Sequence, residues 1–125
     1  MEVARKVLLG LSWLYVLGVF VQFFLAGYAF LGGGGSFDAH AALGYMGLHI
    51  TPVFMVIAAA IGRVPRPLLI VTIVFAVVAI VQPIWVAEFR GEFLGSMHVV
   101  GALVIFTLAH HIAQKTTKLV RAGAA

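Results

Sequence analysis

Apolar residues run along this chain in four long blocks, each separated from the next by a few glycines, prolines or charges. A bilayer core about 30 Å thick takes about 20 mostly apolar residues per helix. Four stretches reach that length, roughly 7–31, 37–61, 68–87 and 93–113. The breaks suit tight connections: "GGGGS" reads as a turn, "GRVPRP" stops one helix and starts the next, and "EFRGE" is short and polar. Short connections make neighbours antiparallel, which predicts an all-α fold. The expected architecture is a transmembrane four-helix up-down-up-down bundle, one domain over residues 1–125.

Charge sets an expected direction. Arg5 and Lys6 precede the first block, Arg63 and Arg66 fill the second connection, and Lys115, Lys118 and Arg121 follow the fourth. The opposite connections hold Asp38, Glu88 and Glu92 with Arg90 as the lone cation. The positive-inside rule then places both termini in the cytoplasm, N-in and C-in, in a multi-pass protein of the plasma or inner membrane. Composition agrees, with 63% apolar and 10% charged residues against about 25% charged in soluble domains. The net charge of +4 therefore reads as membrane orientation and not as a nucleic-acid surface. The opening has the basic-then-apolar order of a signal peptide, but its apolar run exceeds the usual h-region of roughly 7–15 residues, so a retained helix is expected. The chain has no cysteine, which removes disulfides, thiolate metal sites and thioether-linked haem.

The two halves look like copies of one helical hairpin: "VQFFLAGYAFLGGGGSFDAH" and "VQPIWVAEFRGEFLGSMH". Gln22 lies 18 residues before His40, and Gln82 lies 16 before His98. Two tandem hairpins in the same orientation give a pseudo-two-fold axis along the membrane normal. His40 and His98 become equivalent positions on the second and fourth helices, differing in depth by roughly 3 Å at 1.5 Å per residue. In a simple bundle those helices are diagonal, so the two imidazoles face each other across the centre. Polar side chains at such depth are rare and mark function.

Two neutral imidazoles on opposite faces suit a six-coordinate haem iron and one-electron transfer. His40 and His98 are thus the candidate metal ligands, with Gln22 and Gln82 behind them. Gly44 and Gly101 share a face with their histidines, where a small residue would let a flat ring approach the backbone.

These residues resemble two things. Histidines on alternate helices are similar to the transmembrane core of b-type cytochromes. Phe37, Asp38, His40 and Gly44, with Gln82, Pro83 and His98, resemble a family of short four-helix membrane proteins that carries "F-D-x-H-x-x-x-G", "Q-P" and a histidine opening the last helix, with no established activity. A two-haem cytochrome repeats its ligands on both helices. His111 stands 13 residues after His98, but Val53 and Phe54 occupy the matching positions after His40, so one haem is expected.

Other polar residues have simpler expected roles. His49 lies nine residues after His40, half a turn out of phase at 100° per residue, and is expected to bond a carbonyl freed near Pro52; its rival roles are a second ligand or contact with a proton or quinone. His110 and His111 read as a solvated interfacial pair, and Trp13, Tyr15, Tyr28 and Trp85 as interfacial aromatics. Arg90 is expected to pair with Glu88 or Glu92, the rival being a haem propionate. Hydrolytic chemistry finds no support, since Ser96 has no acid partner beside His98.

Three functions are therefore in view. One is a membrane cytochrome holding one non-covalent haem b near the outer face and exchanging single electrons with quinol or a partner redox protein. The second is a haem-free accessory or structural subunit of a larger respiratory or photosynthetic complex, or of a homo-oligomer. The third, a histidine-lined transporter or metal site, is disfavoured because no carboxylate is embedded beside the imidazoles. A carrier or subunit is favoured over an enzyme.

Overall fold

The computed structural model describes residues 1–32 and 36–123, so Gly33, Gly34 and Gly35 of the expected glycine turn lie outside the described residues. Its elements are four helices, α1 (Glu2–Leu31), α2 (Asp38–Ile61), α3 (Arg66–Phe89) and α4 (Phe93–Ala122), each long and apolar enough to cross a membrane. No strand occurs among the described residues. The expected spans all recur, with α4 running past residue 113 because Lys115, Lys118 and Arg121 ride on helix beyond the apolar stretch.

α1 has no proline to interrupt it and ends at Gly32, whose N–H donates to the Tyr28 carbonyl at 2.8 Å. α2 is not uniform. After a first turn over Asp38–Ala42 it widens into a π-helical segment, Leu43–Leu48, where His49 N–H donates to the Gly44 carbonyl five residues back at 2.9 Å. Regular helix resumes at Thr51–Ile61. Pro52 offers no N–H to that transition, and the Thr51 hydroxyl instead donates to the Gly47 carbonyl at 2.6 Å. α3 is broken at Gln82 and Pro83, between Arg66–Val81 and Ile84–Phe89. Glycine is required at the α3–α4 connection, where Gly91 has φ 84°.

The helices form a square in which α1 touches α2 and α4, and α3 touches the same two. Neighbours run antiparallel. Arg5 near the start of α1 donates from Nε to the Gly62 carbonyl at 2.8 Å and from Nη2 to the Arg63 carbonyl at 3.3 Å, capping the end of α2. Both termini and the α2–α3 connection therefore lie at one basic end, while Asp38, Glu88, Arg90 and Glu92 mark an acidic end.

The core fills only the basic half. Leu8, Met55, Phe75 and Ile112 are fully buried there, and the Tyr15 and Phe75 rings meet edge to face at 4.9 Å across the α1–α3 diagonal. Tyr15 is thus a core residue and not an interfacial one: its ring fills the space between diagonal helices. Small buried residues, Ser12 on α1 with Ala109, Ala113 and Thr116 on α4, let those two helices approach closely, which in lipid is what drives association. In the other half, none of the described residues from 20 to 51 or from 80 to 104 is buried.

Candidate functional site

The acidic half holds the predicted polar residues, arranged as two copies of one clamp. On the first hairpin, the Gln22 amide nitrogen donates to the His40 backbone carbonyl at 2.9 Å, and His40 Nδ1 lies 3.2 Å from the Gln22 backbone carbonyl. On the second, Gln82 donates to the His98 carbonyl at 3.0 Å, and His98 Nδ1 lies 3.4 Å from the Gln82 carbonyl. The same atoms pair in both. A carbonyl only accepts, so each Nδ1 is the donor, and Nε2 is the ring nitrogen that stays outside the clamp.

Local sequence explains why these carbonyls are within reach. At Gln82 the following proline disrupts the helical ladder: Val86 N–H turns to the Pro83 carbonyl at 3.2 Å, leaving Gln82 a long 3.4 Å bond from Trp85. At Gln22 the helix is continuous, and the carbonyl takes the imidazole on its spare lone pair.

The clamps bring the two histidines together across the α2–α4 diagonal. Their ring centres are 6.1 Å apart with the planes at 60°, and both side chains are half-buried. Phe37 sets its edge against His40 at 6.0 Å. The Gln22 Oε1 atom is buried without a hydrogen-bond partner.

Gly44 and Gly101 are next to this site in an unexpected way. A Cβ on Gly44 would lie 2.9 Å from Gln22 Nε2, and one on Gly101 would lie 3.2 Å from Gln82 Cγ. What the glycines admit is the neighbouring helix's glutamine. Their faces are covered by these glutamines, so neither glycine keeps the expected room for a flat ring.

The remaining histidines lie apart from this pair. The phase assigned to His49 assumes an even 100° per residue, and the π-helical segment between it and His40 removes that premise. Its ring sits beside Tyr45 at 6.3 Å, and its buried Nδ1 has no partner, so the expected bond to a carbonyl is not made. His110 is half-buried instead of solvated: it stacks on Phe106 at 6.2 Å, meets Trp13 edge-on at 5.8 Å, and lies 3.3 Å from the Gln114 amide. Trp13, exposed near the basic end beside Lys118 and Arg121, also donates to the Thr117 hydroxyl at 3.1 Å, tying α1 to α4. His111 is exposed. Arg90 forms no ion pair with Glu88 or Glu92; the ion pair among the described residues is Lys6 with Glu2 at 2.6 Å.

Sequence reasoning missed the π-helical segment and the Arg5 cap. Gly44, Gly47 and Pro52 hint at the first, but nothing in the sequence marks Arg5 as a residue that reaches another helix. Among the described residues, no three His, Asp, Glu or Cys side chains converge to hold a bare metal ion.

No curated protein and no solved structure matches the chain, so the likeness to cytochromes rests on the bundle and its histidines alone. A family of unknown function, DUF6220, matches residues 22–90, a stretch that takes in Gln22, His40, Gly44 and Gln82 and stops short of His98. With that match over more than half of its length, the chain belongs to the DUF6220 family.

Proposed function

We propose that this protein is a small b-type cytochrome of the plasma or inner membrane, with one haem b held non-covalently between His40 and His98 and single electrons exchanged with quinol or a partner redox protein. The observation that carries the reading is the pair of clamped imidazoles. A histidine that ligates a metal nearly always donates its other N–H to a carbonyl or carboxylate, and both histidines have such a bond. His40 and His98 would hold the iron of the haem from two different helices. Their ring centres lie 6.1 Å apart, close enough for one group to be shared between them. A porphyrin supplies four ligands to its iron, so two histidines suffice where a bare ion needs more.

Bound there, the group supplies reversible one-electron chemistry. The protein's part is to orient and tune. The Gln22 and Gln82 carbonyls fix the tautomer and raise imidazole basicity, while the two amides hold the ligand-bearing turns of α2 and α4 against α1 and α3. The unburied side chains of the acidic half leave the site open laterally to lipid, the route a quinol takes. With the basic end in the cytoplasm, the site lies toward the outer face, and a single haem there cannot span a core of about 30 Å. Donor and acceptor must both be met from that side, or within a larger complex.

One observation favours the haem-free subunit: the clamps already satisfy most polar groups of the four residues without any ligand. The visible spectrum of the purified protein, oxidised and dithionite-reduced, with a pyridine haemochrome assay, separates the readings. One haem b per chain, lost in His40→Ala and in His98→Ala, is the expected result. Colourless protein from cells competent in haem synthesis overturns the cytochrome and leaves the accessory subunit.

A further inference from the structure

At the basic end, far from the histidine pair, a groove of about 540 Å³ opens between the start of α3 and the end of α4. Its wall is apolar, formed by Pro67, Leu68, Val71 and Leu119, and Lys115 and Lys118 stand on its rim beside His111. No acidic residue lines it. Glu2 is the one carboxylate the sequence places at this end, and it is paired with Lys6 on α1. The groove also meets the positive end of the Arg66–Val81 segment. No side chain caps that helix start, so the Arg66 and Leu68 amides remain as free donors where anions are favoured.

We propose that this groove binds one anionic phospholipid, its phosphate on Lys115, Lys118 and the first-turn amides of α3, and an acyl chain along Pro67, Leu68, Val71 and Leu119. Depth supports this occupant. The lysines follow directly on the last buried apolar residues of α4, Ile112 and Ala113, which puts them at headgroup level with the apolar wall reaching toward the hydrocarbon. Basic pockets between helices at that level recognise acidic headgroups. A free phosphate would use the cations and leave the apolar wall without a role, so the two parts together select a lipid.

The test is native mass spectrometry of the full chain in detergent, titrated with dioleoyl-phosphatidylglycerol or dioleoyl-phosphatidylcholine, and challenged with inorganic phosphate. The expected result is a one-to-one phosphatidylglycerol adduct that phosphatidylcholine does not match and phosphate does not displace. Each lysine near an anionic lipid contributes about fivefold, so Lys115→Gln with Lys118→Gln lowers affinity roughly thirtyfold. Both side chains are exposed, so the fold is not at risk. The charge-matched control, Arg63→Gln with Arg121→Gln, removes two cations outside this groove and leaves affinity close to the parent's. Equal binding of the two lipids, an equal loss in the control, or displacement by phosphate overturns the proposal.

Discussion

Glycine at 44 and 101 is explained by where a glutamine must lie. An alanine methyl at 44 would sit 2.9 Å from Gln22 Nε2, so the amide has to swing away and its bond to the His40 carbonyl is lost. Crowding of this kind costs about 1–3 kcal/mol, while alanine gains about 1 kcal/mol of helix propensity over glycine. Gly44→Ala is therefore expected to be destabilising by about 1 kcal/mol, and Gly101→Ala, with its 3.2 Å approach, close to neutral. Thermal unfolding in detergent ranks them. In the same assay Gln22→Ala should cost less in the Gly44→Ala background than alone, since its bond is already gone; strict additivity would show that the glycine does not act through the glutamine. The partnership of Gln22 with His40 and of Gln82 with His98 is legible in the sequence, because the repeat spaces them alike. Which atoms they exchange is not, because all four acceptors are backbone carbonyls, and these carry no side-chain signature.

A helix end gives the next prediction. Arg63 has φ 47°, a left-handed conformation that costs a non-glycine residue roughly 1–2 kcal/mol, and glycine's greater freedom when unfolded returns about 0.5–1 kcal/mol of that. Arg63→Gly should raise stability by about 0.5 kcal/mol, because the part of Arg63 that accepts from Arg5 is its carbonyl. Arg5→Ala should do the opposite, losing two bonds to the end of α2 and a cation at its negative pole, about 1 kcal/mol. Unfolding midpoints of the two variants on opposite sides of the parent are the expected outcome, and a loss in both would mean that the Arg63 side chain carries a contact of its own. Four helices and their antiparallel order were legible at this scale, because apolar length alone marks a span and short connections leave one topology. The widened turn of α2 was not. A proline such as Pro52 announces that a hydrogen bond will be missing, but which turn absorbs the change depends on the helix packed alongside, here α1 with Leu48 lying over Gly18.

The molecule as a whole has two unlike ends, and their difference predicts a direction in the membrane. Seven of the eight lysines and arginines fall at the end that also has the packed core, and three of the four carboxylates fall at the other. Because the chain has no cysteine, single substitutions report topology without background. A membrane-impermeant maleimide applied to intact cells should label Glu88→Cys and Glu92→Cys, and should reach Gly123→Cys only after permeabilisation. All three positions are exposed and lie outside the core, so labelling reads sidedness and not burial. The outcome bears on function, because the histidine pair shares the acidic half. The expected pattern puts the proposed haem site toward the outer surface and puts the Lys115–Lys118 groove in the cytoplasmic leaflet, where anionic lipid is concentrated. The reverse pattern would move both: the proposed electron exchange would then have to take place with cytoplasmic partners, and the basic groove would face a leaflet poor in the lipid proposed to fill it.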